Sequence, residues 1–278
     1  MKRTPSYYLQ LGFTLLICAF MLVPVLMSVT AGVTENYFKG ISSGLTLRWV
    51  QEVLSIYSDT LWLTLKLALA TLAVNLLVGV PAAYVLARSK SRWARLFEEI
   101  LVLPVAIPGL AIALALIIAY GGVQDLRTSW LFILIGHVIY TLPFMVRAVV
   151  AVLHSIDFRQ LEEGASSLGA GFLRRFFDVI VPNCRGGIVS GALMTLTLSV
   201  GEFNLTWMLH TPLTKTLPVG LADAYASMRL EISSAYTLIF LVMLLPLLLA
   251  TQWNGHRRKA QARPAVQTPA PVAKGVTS

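Results

Sequence analysis

The sequence predicts an all-α integral membrane protein with six helical spans, and three observations predict it. Charged residues are 13% of the 278, against roughly 25% in soluble domains. Several apolar runs approach or exceed the ~20 residues that a helix needs to cross a bilayer. The basic residues sort to alternate connections between those runs.

The first run, Leu11 to Ala31, follows Lys2 and Arg3. That order also fits a signal peptide, but the run exceeds the usual signal core and its cleavage site is weak. It reads as a retained first helix with a kink at Pro24. Gly32 to Asp59 reads as a polar, aromatic-containing connection. The second span is Leu61 to Ala87, the third Ile100 to Tyr120, and the fourth Trp130 to Leu153. Pro104 and Pro108-Gly109 break the third span early, and Gly121 to Ser129 turns the chain into the fourth. The fifth span is Gly186 to Leu209 and the sixth Ala235 to Trp253. From Asn254 the tail is basic, then rich in Pro, Ala and Thr, a composition that predicts disorder. The chain therefore divides into residues 1–58, a core of residues 59–253 and a tail of residues 254–278.

With both termini cytoplasmic, the inside segments carry Lys2, Arg3, Arg88, Lys90, Arg92, Arg95, Arg159, Arg174, Arg175, Arg185, Arg257, Arg258, Lys259, Arg263 and Lys274. The outside segments carry Lys39, Arg48, Arg127, Lys215 and Arg229. This asymmetry fits the positive-inside rule and places both ends in the cytoplasm. The net charge of +9 is spent on orientation and argues against a nucleic-acid partner. Cys18 and Cys184 have no metal-ligand spacing and indicate no disulfide framework.

Between the fourth and fifth spans lies the longest charge-rich passage, Leu161 to Pro182, LEEGASSLGAGFLRRFFDVIVP. It reads as a cytoplasmic loop with little apolar surface of its own. Phe158 to Ser167 can form one short helix and Phe172 to Val179 another. Gly169 and Gly171 supply the bend between them, because glycine tolerates left-handed backbone angles. Glu163-Gly164-Ala165, three residues, Gly169, nine residues, then Val179-Ile180-Val181-Pro182 resembles the coupling loop of bacterial ABC-importer permeases. That family's pattern is Glu-Ala-Ala, three residues, Gly, nine residues, Ile-x-Leu-Pro. Gly164 replaces the first Ala, and Val179 and Val181 replace Ile and Leu.

The resemblance covers about Asp59 to Trp253. It implies a six-helix ABC-importer permease fold in the bacterial inner membrane, with a second permease subunit, identical or not, completing the pathway. It also implies ABC ATPase subunits below and a periplasmic or lipid-anchored substrate-binding protein above. No Gly-x4-Gly-Lys-Ser/Thr loop occurs in this chain, so ATP and Mg2+ are expected on the partner. No zinc-type His spacing and no nucleophile elbow occur either, and the chain reads as a non-catalytic subunit without a cofactor or metal of its own. Glu163, Gly164, Ala165, Gly169, Arg174, Arg175 and Pro182 are the implied ATPase-coupling residues. Arg174 and Arg175 have a second reading, as anchors to anionic membrane lipid.

Polar groups inside spans form the other candidate set. Glu202 lies in GEFNLTW, Gly201 to Trp207, where a carboxylate costs at least roughly 2.5 kcal/mol near the bilayer centre. Gly201, Glu202, Asn204 and Asn75 are the candidates for the translocation path or gate. The alternative is bonding between helices, the favoured reading for Asn75, which shares a face with Thr64 and Thr71. His137 and Thr141, one turn apart, read as packing contacts. Lys66 is either a snorkelling cation or a partner for Glu202. Gly201-Glu202 through Leu217-Pro218 resembles the polyamine, phosphonate and ferric-iron branch, which implies a polyamine or aminoalkylphosphonate cargo, with ferric iron or an inorganic oxyanion as the alternative. A self-contained secondary transporter or channel is the competing class, and a membrane scaffold a third. The first predicts activity from this chain alone, and the second leaves Glu202 without a role.

Overall fold

The structure, a computed structural model, describes residues 5–261. Among the described residues helices dominate, and the one strand-like contact is an isolated bridge between Thr34 and Leu45. The helices are α1 Pro5–Ala31, α2 Arg48–Ile56, α3 Ser58–Arg88, α4 Arg92–Ile100, α5 Leu103–Ala106, α6 Gly109–Tyr120, α7 Gln124–Arg127, α8 Trp130–Ser155, α9 Phe158–Ser167, α10 Phe172–Gly201, α11 Asn204–Leu209, α12 Leu217–Ala226 and α13 Leu230–Gln261. Five of these, α1, α3, α8, α10 and α13, are each long and apolar enough to cross a membrane.

The predicted third span is the exception. The chain bends by 104° between Arg92–Ala106 and Gly109–Tyr120, so a sixth span exists only if that bent pair is counted as one. The cause is local. Pro108 lacks an N–H and forces Ile107 into an extended conformation (ψ 131°), which ends α5. Prolines also distort two straight spans. Wide, π-type turns occupy Asn75–Gly79 and Arg175–Ile180, each just before a proline, Pro81 and Pro182. A proline ring crowds the carbonyl four residues back, and an extra residue in the turn relieves it. Pro24, Pro143 and Pro246 lie inside α1, α8 and α13.

The spans pack around α8. One apolar cluster joins Val80, Tyr84, Met145, Val149, Leu153, Phe158, Phe176 and Ile180 at the end that carries α9. A second joins Leu67, Ile112, Leu116, Phe132, Ile133, Leu205 and Leu209 at the other end. A third, beside them, holds Val53, Leu217, Ile232, Ala235 and Tyr236. The close α8–α10 crossing depends on Gly187, where an added Cβ would sit 2.6 Å from the Ala148 carbonyl oxygen.

Several boundaries differ from expectation. The Gly32–Asp59 connection contains α2, because Trp49, Val50 and Val53 give it one apolar face that packs into the third cluster. The fifth span begins at Phe172 rather than Gly186, so the separate loop helix expected over Phe172 to Val179 is its first turns, and it ends at Gly201 rather than Leu209, with α11 following as a separate helix. The half-length helix α12 has Pro near its start, a position where proline's missing N–H costs nothing. The last helix runs on to Gln261, so Asn254 to Gln261 are helical rather than disordered. The remainder of the tail, residues 262–278, and Lys2 and Arg3 lie outside the described residues. Helix α1 is exposed along nearly its whole length and sits outside the three clusters.

Candidate functional site

The polar loop folds as expected over Phe158–Ser167, and its capping explains the motif's spacing. The Asp157 carboxylate accepts from the Gln160 N–H at 3.4 Å and starts α9. At the other end the Ala170 N–H donates to the Ala165 carbonyl at 3.0 Å, and the Gly169 N–H donates to the Ser166 carbonyl at 2.9 Å. Those two bonds are the Schellman arrangement, which needs a left-handed residue at the position Gly169 occupies. Gly169 has φ +81°. The interval between Ala165 and Gly169 is therefore the distance from the third-last helical carbonyl to the residue that reverses the chain. Gly171 differs from expectation: its φ of −67° is open to any residue. Pro182 stands just beyond the wide turn Arg175–Ile180.

What holds α9 to the membrane helices is Glu162, not Glu163. Glu162 is buried, and its Oε1 accepts from the Tyr84 hydroxyl at 2.8 Å. The same oxygen lies 3.2 Å from Arg88 Nη1 and 3.6 Å from Arg175 Nη1. Arg88 also donates to the Tyr84 hydroxyl at 3.2 Å, and Arg159 donates to the Arg88 carbonyl at 2.9 Å. Around Tyr84 the rings of Phe158, Phe172 and Phe176 make edge and tilted contacts. One carboxylate thus ties α9 to the ends of α3 and α10. Within the charge-rich stretch nothing in the motif itself singles out Glu162. Its signal was present: Glu162 lies four residues after Phe158, on the face that Phe158 buries.

The neighbouring residues divide by side. Glu163, Gly164 and Arg174 are exposed, while Arg175 turns inward to Glu162. The Arg174–Arg175 pair is therefore not one outward patch, because adjacent helical residues face about 100° apart. The expectation of little apolar surface also fails. Leu161, Leu168, Phe172, Leu173 and Phe177 are exposed, Leu168 at 90%. The loop offers a mixed apolar and charged face around the Gly169 bend.

The second polar centre lies at the break between α10 and α11. Glu202 leaves the helix with ψ 121°, and its carboxylate folds forward over the start of α11. Oε1 accepts from the Leu205 N–H at 2.8 Å; Oε2 accepts from the Thr206 N–H at 2.8 Å and from the Thr206 hydroxyl at 2.7 Å. A Cβ on Gly109 would lie 3.4 Å from Oε1, so the start of α6 also abuts this carboxylate. Buried His137 continues the network, with Nε2 2.9 Å from the Thr206 hydroxyl oxygen and Nδ1 2.8 Å from that of Ser199. Since Thr206 gives its one proton to Glu202, Nε2 must donate to it, and Nδ1 then accepts from Ser199. Nε2 stands 4.0 Å from Glu202 Oε2. Glu202, one residue before the N-cap Phe203, thus satisfies the first free N–H groups of α11 with its carboxylate and is not a side chain midway along a continuous helix. Gly201 and Asn204 flank it and are exposed.

Asn75 is fully buried and donates to Thr141 at 2.8 Å and Thr195 at 3.3 Å, joining α3, α8 and α10. That is bonding between helices, the reading favoured for it. Thr64 and Thr71 are buried on the same face. His137 and Thr141 pack in the core as expected, each with hydrogen-bond partners. Lys66 does not meet Glu202: its Nζ lies 3.9 Å from the centre of the Trp130 ring.

Comparison with known proteins gives the family and the fold. The family described as "Binding-protein-dependent transport system inner membrane component" matches residues 75–259. The chain is 28% identical over 257 residues to the sulfate transport system permease protein CysW of Synechocystis, covering 86% of this chain and 91% of that one. It is 29% identical over 247 residues to the putrescine transport system permease protein PotI of Escherichia coli K12, covering 83% of each. A solved bacterial ABC transporter involved in the import of the acidic polysaccharide alginate shares the fold, with TM-score 0.66 at 14% identity over 92% of this chain and 96% of that one.

Proposed function

The chain belongs to the family of binding-protein-dependent transport system inner membrane components, the permease subunits of ABC importers, and from that premise we propose that α9 and the Gly169 bend are the element that couples its solute pathway to a separate ATPase. The observation that carries the proposal is the loop's construction. Capped α9, the Gly169 bend and the start of α10 present Glu163, Leu168, Arg174 and Phe177 outward, while Glu162 fastens the inner side of α9 to α3 and α10. A push on the exposed face reaches two spans through one buried carboxylate. ATP and Mg2+ are held by the ATPase in this reading, and a second permease subunit completes the pathway. A substrate-binding protein delivers the solute from the periplasm, and both termini of this chain face the cytoplasm.

The proposed cargo is a small charged solute. Polyamine or aminoalkylphosphonate is the first reading, and the likeness to PotI supports a polyamine. The likeness to CysW supports an oxyanion instead. The solute that co-purifies with the partner binding protein decides between them. A self-contained transporter would move solute without an ATPase, and a scaffold would move none.

Gly169→Val tests the coupling role. An added Cβ at this position has open space, so the whole penalty comes from the left-handed backbone, about 1–3 kcal/mol. The variant should insert normally, lose stable association with the ATPase and lose ATP-dependent uptake. Normal uptake by Gly169→Val would remove α9 as the coupling element.

A further inference from the structure

Helix α4 presents three different faces. Ala94 and Glu98 are partly covered by the rest of the chain. Trp93, Leu96, Phe97 and Ile100, at helical spacing, are 70%, 43%, 58% and 45% exposed. Arg92, Arg95 and Glu99 form the third face, and Arg88 and Lys90 immediately precede it. Behind the covered face opens a cavity of about 590 Å3, whose walls include Arg95, Glu98, His154, Asp157 and Arg159. The Asp157 carboxylate is used by the Gln160 N–H, and Arg159 by the Arg88 carbonyl. The side chains of Arg95, His154 and Glu98 have no hydrogen-bond or ion-pair partner among the described residues.

We propose that α4 lies in the headgroup layer of the inner leaflet and that the cavity behind it holds the headgroup of an acidic phospholipid. The proposal rests on the membrane reading above, not on the cargo or the ATPase. Three properties of the segment converge on lipid. It begins four residues after a membrane-crossing helix ends at Arg88, so its start lies at the bilayer surface. Its four-residue apolar stripe needs hydrocarbon, and an amphipathic helix with a basic flank satisfies both requirements at an interface. Lys90, Arg92 and Arg95 follow Arg88, whose guanidinium is held by Glu162 and Tyr84, and place three further cations in six residues, a basic flank that attracts anionic headgroups beside a span. Trp93 is the aromatic that such interfaces favour. Arg95 from α4 and His154 from α8 both line the cavity and can bind a phosphate there, while Glu98 can accept from the hydroxyls of a glycerol headgroup. Because Asp157 caps α9 and Arg159 lies in its first turn, a lipid seated there touches the start of the coupling helix.

The test uses the full chain in nanodiscs of phosphatidylcholine with graded phosphatidylglycerol. Retained lipid is counted by native mass spectrometry, and Trp93 quenching by brominated lipid of each class is taken from the difference between wild type and Trp93→Phe. Wild type should retain phosphatidylglycerol in preference to phosphatidylcholine, and brominated phosphatidylglycerol should quench Trp93 more strongly. Arg92→Gln with Arg95→Gln should weaken that retention roughly thirtyfold, at about fivefold for each basic residue near an anionic surface. Retention unchanged in the double variant overturns the proposal. Equal quenching by both lipids overturns it as well. Competition by soluble glycerol phosphate as strong as that by the lipid would show a free-phosphate site instead. A Phe97→Cys crosslink to a second copy or to the ATPase would show that the apolar face is a protein interface.

Discussion

Removing the Glu162 carboxylate should detach α9 from the membrane helices while leaving those helices folded. The loss can be assembled from three contacts. The Tyr84 hydroxyl donates to a charged acceptor at 2.8 Å, an interaction of about 1.5–3 kcal/mol. Arg88 is half exposed at 52%, so its pair adds under about 1 kcal/mol. Arg175 is mostly covered, and its Nε already has no acceptor; orphaning Nη1 as well costs about 1–3 kcal/mol. Glu162→Ala should therefore loosen α9 by about 3–5 kcal/mol, and Glu162→Gln, which keeps an acceptor for Tyr84, by about 1–3 kcal/mol. Amide hydrogen exchange across residues 157–170 reads this directly, since a tenfold rate change corresponds to about 1.4 kcal/mol. Protection should fall at least a hundredfold in Glu162→Ala, with α8 amides near Met145 unchanged. In a double-mutant cycle, Tyr84→Phe and Glu162→Ala should be non-additive by about 1 kcal/mol or more. Unaltered exchange in Glu162→Ala would refute the anchor, and full additivity would refute the Tyr84 contact.

The break at Glu202 gives a second prediction. All three donors point at its two oxygens, so Glu202→Gln sets an amide N–H2 against a backbone N–H and should destabilise the fold by about 1–3 kcal/mol, seen as a lower unfolding temperature in detergent; an unchanged temperature would argue against the cap. Gly187→Ala forces a methyl against the Ala148 carbonyl and the Val149 backbone, and should cost about 1–3 kcal/mol and reduce the yield of folded protein, whereas full yield would show that the α8–α10 crossing has slack. Orientation is read by labelling in sealed cells. Cysteines at Asn36 and at Tyr225, which is 64% exposed where neighbouring Ala224 is buried, should label from the periplasm. One at Ser167 should label only from the cytoplasm, and its labelling from outside would invert the topology.

The sequence by itself determined the class of the molecule and the loop. Apolar length and sparse charge admit only membrane-crossing helices, because a backbone in lipid must bond to itself. The Gly169 bend was equally legible, since a left-handed residue at a helix end is a local requirement. So was the common face of Thr64, Thr71 and Asn75, a matter of helical periodicity. Tertiary structure alone decided which carboxylate does what. Glu162 and Glu163 are adjacent and chemically alike, and only the placement of Tyr84, Arg88 and Arg175 turns one of them inward. Apolar content hides the helix break at Glu202, so the sequence places this charge within a span. The backbone instead opens there, and the freed N–H groups of α11 take the carboxylate as their partner. Lys66 could not be assigned from spacing either, since the face of Trp130 that receives it comes from another helix. Local order is written in intervals along the chain, whereas the pairing of a buried charge depends on groups that only packing brings within reach.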